Sequence, residues 1–317
     1  MKTIFAILCT AAVSICSAQT TYPSKSVSIV VPFTPGTGAD VIARLLQPRL
    51  AERLKAPVVV ENKVGASGAI GTELVAKAPA DGYTLLFTAT SHGTLPAMKK
   101  SLPYDAVKSF TPVALAATSA MSLVVGAQVP AATLPEFVAL AKKSPGTLYY
   151  SSPGAGSIQN LAMELVKIET GIDLVHVPYK GSAGAATDLV GGHVQATVAA
   201  LQTMAPFVTT GRLKMLAVLS SERSPAFPDV PTMRELGHPA LVVDTWYGIY
   251  APAGTPRDIV ARLNTEINAL LQLADIREAF AKQGLTPVTD RPERLGDLVD
   301  KEIARWTRVV ATAGIHE

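Results

Sequence analysis

Short apolar runs recur along the chain, each followed by small residues and then by apolar positions at helical spacing. Val27–Val31 begins this rhythm as a buried strand does. Two prolines and two glycines then break the pattern at Pro32, Pro35, Gly36 and Gly38, and residues 40–54 resume it as a helix. Residues 57–62 form a second strand. A turn with Gly65, Gly68 and Gly71 leads to a helix at 72–77, and Asp81-Gly82 marks a tight turn before a strand at 83–88. A small-residue loop follows at 89–93. Residues 113–125 are apolar and extended, and cross into a second region.

That region repeats the pattern without repeating the sequence. It predicts a helix at 135–143, a strand at 148–152, the break 153–157 and a helix at 158–169. A strand at 174–179, the loop 180–184 and a helix at 185–190 come next, then strands at 196–201 and 213–219. A proline-rich stretch, 225–239, holds a short helix, and a strand at 245–252 returns to the first region. The tail predicts two helices, 255–271 and 292–311, the latter amphipathic through Leu295, Leu298, Ile303 and Trp306. Alternating strands and helices predict an α/β fold with a parallel sheet, whose ligands sit outside the carboxyl ends of strands. The expected division is 22–121 with 225–317 as one discontinuous domain and 122–224 inserted into it.

Composition narrows the function classes. The 317 residues are 48% hydrophobic and 17% charged, enough for a packed core. A net charge of +3, with scattered basic residues, gives no basic footprint for nucleic acid. Lys2, the apolar run 4–15 and Cys16-Ser17-Ala18 predict a signal peptide, 1–18, cleaved after Ala18. Cleavage removes Cys9 and Cys16, so the expected product is periplasmic and free of thiols.

The chain has no G-x-S-x-G elbow, no H-E-x-x-H, no P-loop and no cysteine nucleophile. His92, His176, His193, His238 and His316 show no metal-ligand spacing. His176 reads as a packed strand residue. His92 sits in a strand-end loop, where either packing or ligand contact is open. Four small polar loops remain, at 33–40, 88–93, 151–160 and 179–184. The first joins a strand to a helix, which aims free backbone N–H groups at one point and attracts an anion. Small residues also serve plain βα turns, so a single loop decides nothing. Four loops spread over two regions put a binding cleft on equal terms with that reading.

Several motifs together resemble the Bug family, the receptors of tripartite tricarboxylate transporters, over roughly residues 22–315. They are Val31-Pro32-Phe33 with Pro35-Gly36-Thr37-Gly38-Ala39-Asp40; Glu61-Asn62-Lys63; Asp81-Gly82-Tyr83-Thr84; Leu102-Pro103-Tyr104-Asp105; Phe110-Thr111-Pro112-Val113; His176-Val177-Pro178-Tyr179-Lys180-Gly181; Pro228-Asp229-Val230-Pro231-Thr232; and Trp246-Tyr247-Gly248 with Ala251-Pro252-Ala253-Gly254-Thr255-Pro256. The resemblance implies a type II periplasmic-binding-protein fold, two βα domains around a hinged cleft. It also implies a small carboxylate ligand and neither cofactor nor metal. Ligand contacts carry over to Phe33, Thr34, Gly36, Thr37, Gly38 and Asp40, to Thr90 and Ser91, to Ser152, Gly154, Gly156 and Ser157, and to Tyr179, Lys180 and Gly181.

Three positions depart from the family pattern. Asn160 stands where a histidine is frequent, Gln195 where an aspartate is usual, and Ala199 where an acid is common. Loss of that acid disfavours a ligand ammonium and favours a plain or aromatic carboxylate. The resemblance implies a monomer that hands its ligand to membrane transporter subunits, without catalysis. The alternatives are a ligand sensor for a signalling partner and a small-molecule enzyme on the same scaffold.

Overall fold

The computed structural model describes residues 22–99 and 101–313, with side chains through residue 311. The expected signal peptide and His316 lie outside the described residues. The elements run β1 (Val27–Val31), α1 (Gly38–Leu54), β2 (Val58–Asn62), α2 (Ala69–Ala76), β3 (Thr84–Ala89), α3 (Ser91–Met98), β4 (Phe110–Gly126), α4 (Leu134–Lys143), β5 (Tyr149–Ser152) and α5 (Ile158–Thr170). They continue β6 (Val175–Pro178), α6 (Ser182–Gly191), β7 (Ala196–Ala200), α7 (Leu201–Thr209), β8 (Leu213–Val218), β9 (Asp244–Pro252), α8 (Arg257–Leu271), α9 (Ala274–Lys282), β10 (Leu285–Pro287) and α10 (Glu293–Ala313).

The strands lie in the order β2-β1-β3-β9-β4-β7-β5-β6, with β8 and β10 also on β4. The outer trios are parallel, as the βαβ rhythm requires: β1 pairs β2 and β3, and β5 pairs β6 and β7. β9 and β4 run antiparallel between them. β4 organises the sheet. Its first part, Phe110 to Ala120, pairs with β9. From Met121 onward it pairs with β7 on one side and, from Ser122, with β8 on the other. One strand thus leaves one set of neighbours and joins another at Ala120–Met121.

Each half of the sheet has helices on both faces. In the first half, Leu46, Leu50, Leu263, Ile267 and Phe280 pack on one face, and Val75, Leu295 and Val299 on the other. In the second, Phe137, Leu161 and Met163 cover one face and Leu189 and Met204 the other. α10 serves both halves: Leu295 belongs to the first core and Trp306, fully buried, to the second. The proline-rich segment leans on the second half, where Met233 N–H donates to the Val218 carbonyl at 2.9 Å.

The short helix expected within 225–239 is replaced by turns, with a single 3-10 turn at Pro239–Leu241, and four elements were not expected from the sequence. Residues 91–98 are a helix where a loop was expected at 89–93, although Gly93 and Pro96 lie inside it. α7 contains Pro206 and was hidden for the same reason. α9 buries only Ile276 and Phe280, too little to show a period, and β10 is three residues long. Packing against neighbours, above all of α3 on α10, outweighs local propensity here.

Candidate ligand-binding cleft

Two adjoining cavities lie at the carboxyl ends of the parallel strands. The outer one, of about 430 Å³, is lined by the β1–α1 loop, by residues 64–68 and, opposite, by Pro153 and Tyr179 to Ser182. The inner one, of about 100 Å³, shares Phe33, Thr37, Pro153 and Ser182 with it. The inner lining includes the first residues of four helices, Gly38 of α1, Ser91 of α3, Ile158 of α5 and Ser182 of α6, and, at the start of a fifth, α7, Ala200 just before it and Thr203 in its first turn. Its remaining walls are uncharged, with Gln159, Thr245 and Tyr247 as further polar groups. Helix starts carry partial positive charge and unpaired N–H groups, so this cavity favours an anion without an arginine clamp.

The β1–α1 loop is held from behind. Asp40 is 3% exposed; it accepts from Gly36 N–H at 2.9 Å, Asn62 Nδ2 at 2.8 Å and Arg44 Nε at 2.9 Å. Burial raises the Asp40 carboxyl, but Gly36, Asn62 and Arg44 together outweigh it and hold the group below its ordinary value. Asn62 also donates to the Phe33 carbonyl at 3.0 Å. Thr37, the residue before α1, turns its hydroxyl back onto the Thr34 carbonyl at 2.9 Å and caps nothing. Val41 N–H is bonded to Thr37 O, and the N–H groups before it have no acceptor within the helix. Gly36 takes φ +82°, the turn that lets its N–H reach Asp40.

The β5–α5 loop is different. Ser157 caps α5 by accepting from Asn160 N–H at 3.3 Å, and its hydroxyl donates to Gly154 O at 2.7 Å. Asn160 is buried; its Oδ1 accepts from Gly156 N–H at 3.2 Å and its Nδ2 donates to Tyr150 Oη at 2.8 Å. Tyr150 donates to Glu164 at 2.5 Å. Thr94 of α3 donates to Gly156 O at 2.9 Å, a bond between the two halves. Ser152 is fully buried, 2.6 Å from His176 Nε2, and burial lowers the His176 ring below its ordinary value.

The structure therefore brings Phe33, Thr34, Thr37, Gly38, Ser91, Tyr179 and Gly181 to the cavity walls. Ala199 lines a small recess that shares Pro153, Gln159 and Thr203 with the inner cavity. Asp40, Ser152, Gly156, Ser157 and Asn160 are buried behind the walls, and Gly36 is exposed on the loop, with its N–H on Asp40. Thr90 is also buried, accepting from Trp246 N–H at 2.8 Å. Gly154 sits at the rim, where an added Cβ would come 3.6 Å from Ser67 Oγ. Gln195 stands at the opposite end of β7 from Ala199 and accepts from Tyr149 N–H at 2.8 Å, away from both cavities. His92 is packed, its Nε2–H on the Ala106 carbonyl at 2.8 Å and its ring on Tyr250.

Sequence reading passed over several wall residues. Ala66 and Ser67 adopt left-handed backbone, at φ +47° and +56°, on the outer cavity. The Gly65, Gly68 and Gly71 spacing was their signal. Ser182 belongs to the candidate loop 179–184, whereas Thr203 and Tyr247 lie on α7 and β9, and only their place in the fold reveals them. Among the described residues no cluster of three His, Cys, Asp or Glu could hold a metal, and no helix is long and apolar enough to cross a membrane.

Comparison with known proteins gives a consistent result. Residues 42–315 match the family described as tripartite tricarboxylate transporter family receptor. Protein BugT of Bordetella pertussis is 38% identical over 309 residues, 97% of this chain and 95% of that protein. An R. palustris protein solved with adipate aligns at TM-score 0.89 and 36% identity, over 93% of this chain and 99% of that one. MatC from Rhodopseudomonas palustris, with bound malate, aligns at 0.84 and 35% identity, over 91% and 100%.

Proposed function

The chain belongs to the tripartite tricarboxylate transporter receptor family, a family of periplasmic solute-binding receptors, and from that premise we propose that it captures a small carboxylate in this cleft and delivers it to a membrane transporter of the tripartite type. The observation that carries the proposal is the inner cavity, where five helix starts converge on a space with no charged side chain in its lining. A carboxylate there meets oriented dipoles and N–H donors, each worth roughly 0.3–1 kcal/mol and up to about 2 when partly buried. Adipate and malate bound to two relatives are acids of this kind.

The ligand is a carboxylate without an ammonium group. Neither cavity has a carboxylate in its walls, and Ala199 supplies none. The outer cavity extends the site with carbon-rich walls at Pro32, Phe33, Val64 and Pro153, which suits an alkyl or aromatic body. The function is binding and release without turnover, since no histidine, acid or cysteine lines the inner cavity to act as base or nucleophile.

The two sheet halves act as lobes that close on the ligand, hinged at Ala120–Met121 of β4 and at the start of β9. Residues 22–121 with most of the C-terminal part form one lobe, and 122–224 form the core of the other, with 225–243 leaning on it. The receptor works as an exported monomer. Calorimetry against adipate, malate, benzoate, aspartate and glutamate tests the ligand class. Binding of at least one plain acid, with no heat from the amino acids, is expected; tight binding of aspartate or glutamate alone overturns it.

A further inference from the structure

A polar chain links the inner cavity to a separate crevice behind it, whose lining shares no residue with it. Gln202, the second residue of α7, donates from Nε2 to Tyr247 Oη at 2.5 Å. Its Oε1 accepts from Ser119 Oγ at 2.6 Å, and Ser119 Oγ is 3.1 Å from the Gly284 carbonyl. Tyr247 lines the inner cavity. Ser119 and Gly284 line a third cavity, of about 710 Å³, bounded by residues 118–120, residues 220–226, Asp244, α9 and β10. Gln202 is the link between the front pocket and this back crevice.

The backbone is shaped around the link. A Cβ on Gly38 would stand 2.3 Å from Tyr247 Oη and 2.9 Å from Gln202 Nε2, and one on Gly284 would stand 2.6 Å from Leu201 Cδ2. The start of α1 and the α9–β10 corner thus close on residues 201–202 from two sides, and only glycine permits both approaches. α7 follows β7, which pairs with the far part of β4, whereas Ser119 belongs to the part paired with β9 and β10. The chain therefore joins the two halves next to the point where β4 changes neighbours.

We propose that Gln202 is a positioning residue that holds the Tyr247 hydroxyl at the inner cavity and, through Ser119, sets the width of the back crevice, so that pocket and crevice change together. An occupant that moves Tyr247 alters the face the receptor shows at the crevice. The link is present whatever the ligand is, so its test needs none.

The test is a distance measurement between spin labels at Glu222→Cys and Glu278→Cys, which both line the crevice. It uses the exported chain, residues 19–317, which holds no other cysteine, because the two in the sequence are Cys9 and Cys16. The parent should give one narrow distribution. Gln202→Met, close in size but without the amide, should at least double its width, and Gln202→Glu, which still offers acceptors to both hydroxyls, should restore it. A Gln202→Met distribution that superimposes on the parent's overturns the proposal. If that variant does not fold, Ser119→Ala decides, with partial broadening expected and an unchanged distribution overturning it.

Discussion

The loops after β1 and after β5 look alike in sequence, each a proline followed by spaced glycines and a hydroxyl residue before a helix. Their donors have opposite fates. After β5, Ser157, Asn160 and Thr94 take up the cap and both groups of Gly156. After β1, Asp40 and Asn62 brace the loop from behind and Thr37 turns away from the helix end, so no side chain caps the first N–H groups of α1. The first loop is built to offer hydrogen bonds and the second to spend them. A glycine-rich βα turn is a ligand wall only when its own side chains leave its donors free.

The strand-end segment at Thr90 and His92 belongs with the spent loops, and acid should break it first. Burial holds the His92 ring down to about 4, against an unfolded value of 6.5, with the Ala106 carbonyl opposing. The neutral ring contributes stability that is complete above pH 6.5 and lost as pH falls toward 4, about 3 kcal/mol in all. Denaturant titrations between pH 7 and 4 should show the decline, and His92→Phe should flatten it.

Gly38→Ala attacks the offering loop. Its methyl would displace Tyr247 and Gln202, and affinity for whichever acid binds the parent should drop by about 100-fold, which is roughly 2.7 kcal/mol. Equal affinity in a folded variant would remove α1 from the site. Asn160→Ala strikes the spending loop. It strands Gly156 N–H and removes the donor to the Tyr150 hydroxyl, which keeps its bond to Glu164, so stability should fall by about 2 kcal/mol while affinity shifts less than tenfold. Ser157→Ala should show the smallest effect, about 1 kcal/mol of helix-cap stability with affinity unchanged. A large affinity loss from Ser157→Ala would put the two loops in one class after all.

Most of the framework was legible in the sequence. The apolar runs marked β1 to β9, and the glycine turn placed α1 to within two residues. Helices with internal proline, α3 and α7, were not, because their stability comes from neighbours far along the chain. The site was legible to the level of loops. Which loop residues face the cavity depends on hydrogen-bond partners such as Asn62 for Asp40 and Thr94 for Gly156, and spacing does not encode them. Tyr247 became visible as a wall only once β9 was placed between β3 and β4.

That placement of β9 also sets a timetable. β1, β2 and β3 leave the synthesis machinery early, but the strand that flanks β3, with Leu86 against Tyr250, comes much later in the chain. The N-terminal half cannot complete its sheet until residue 252 has been made, and such distant pairing is slow to form.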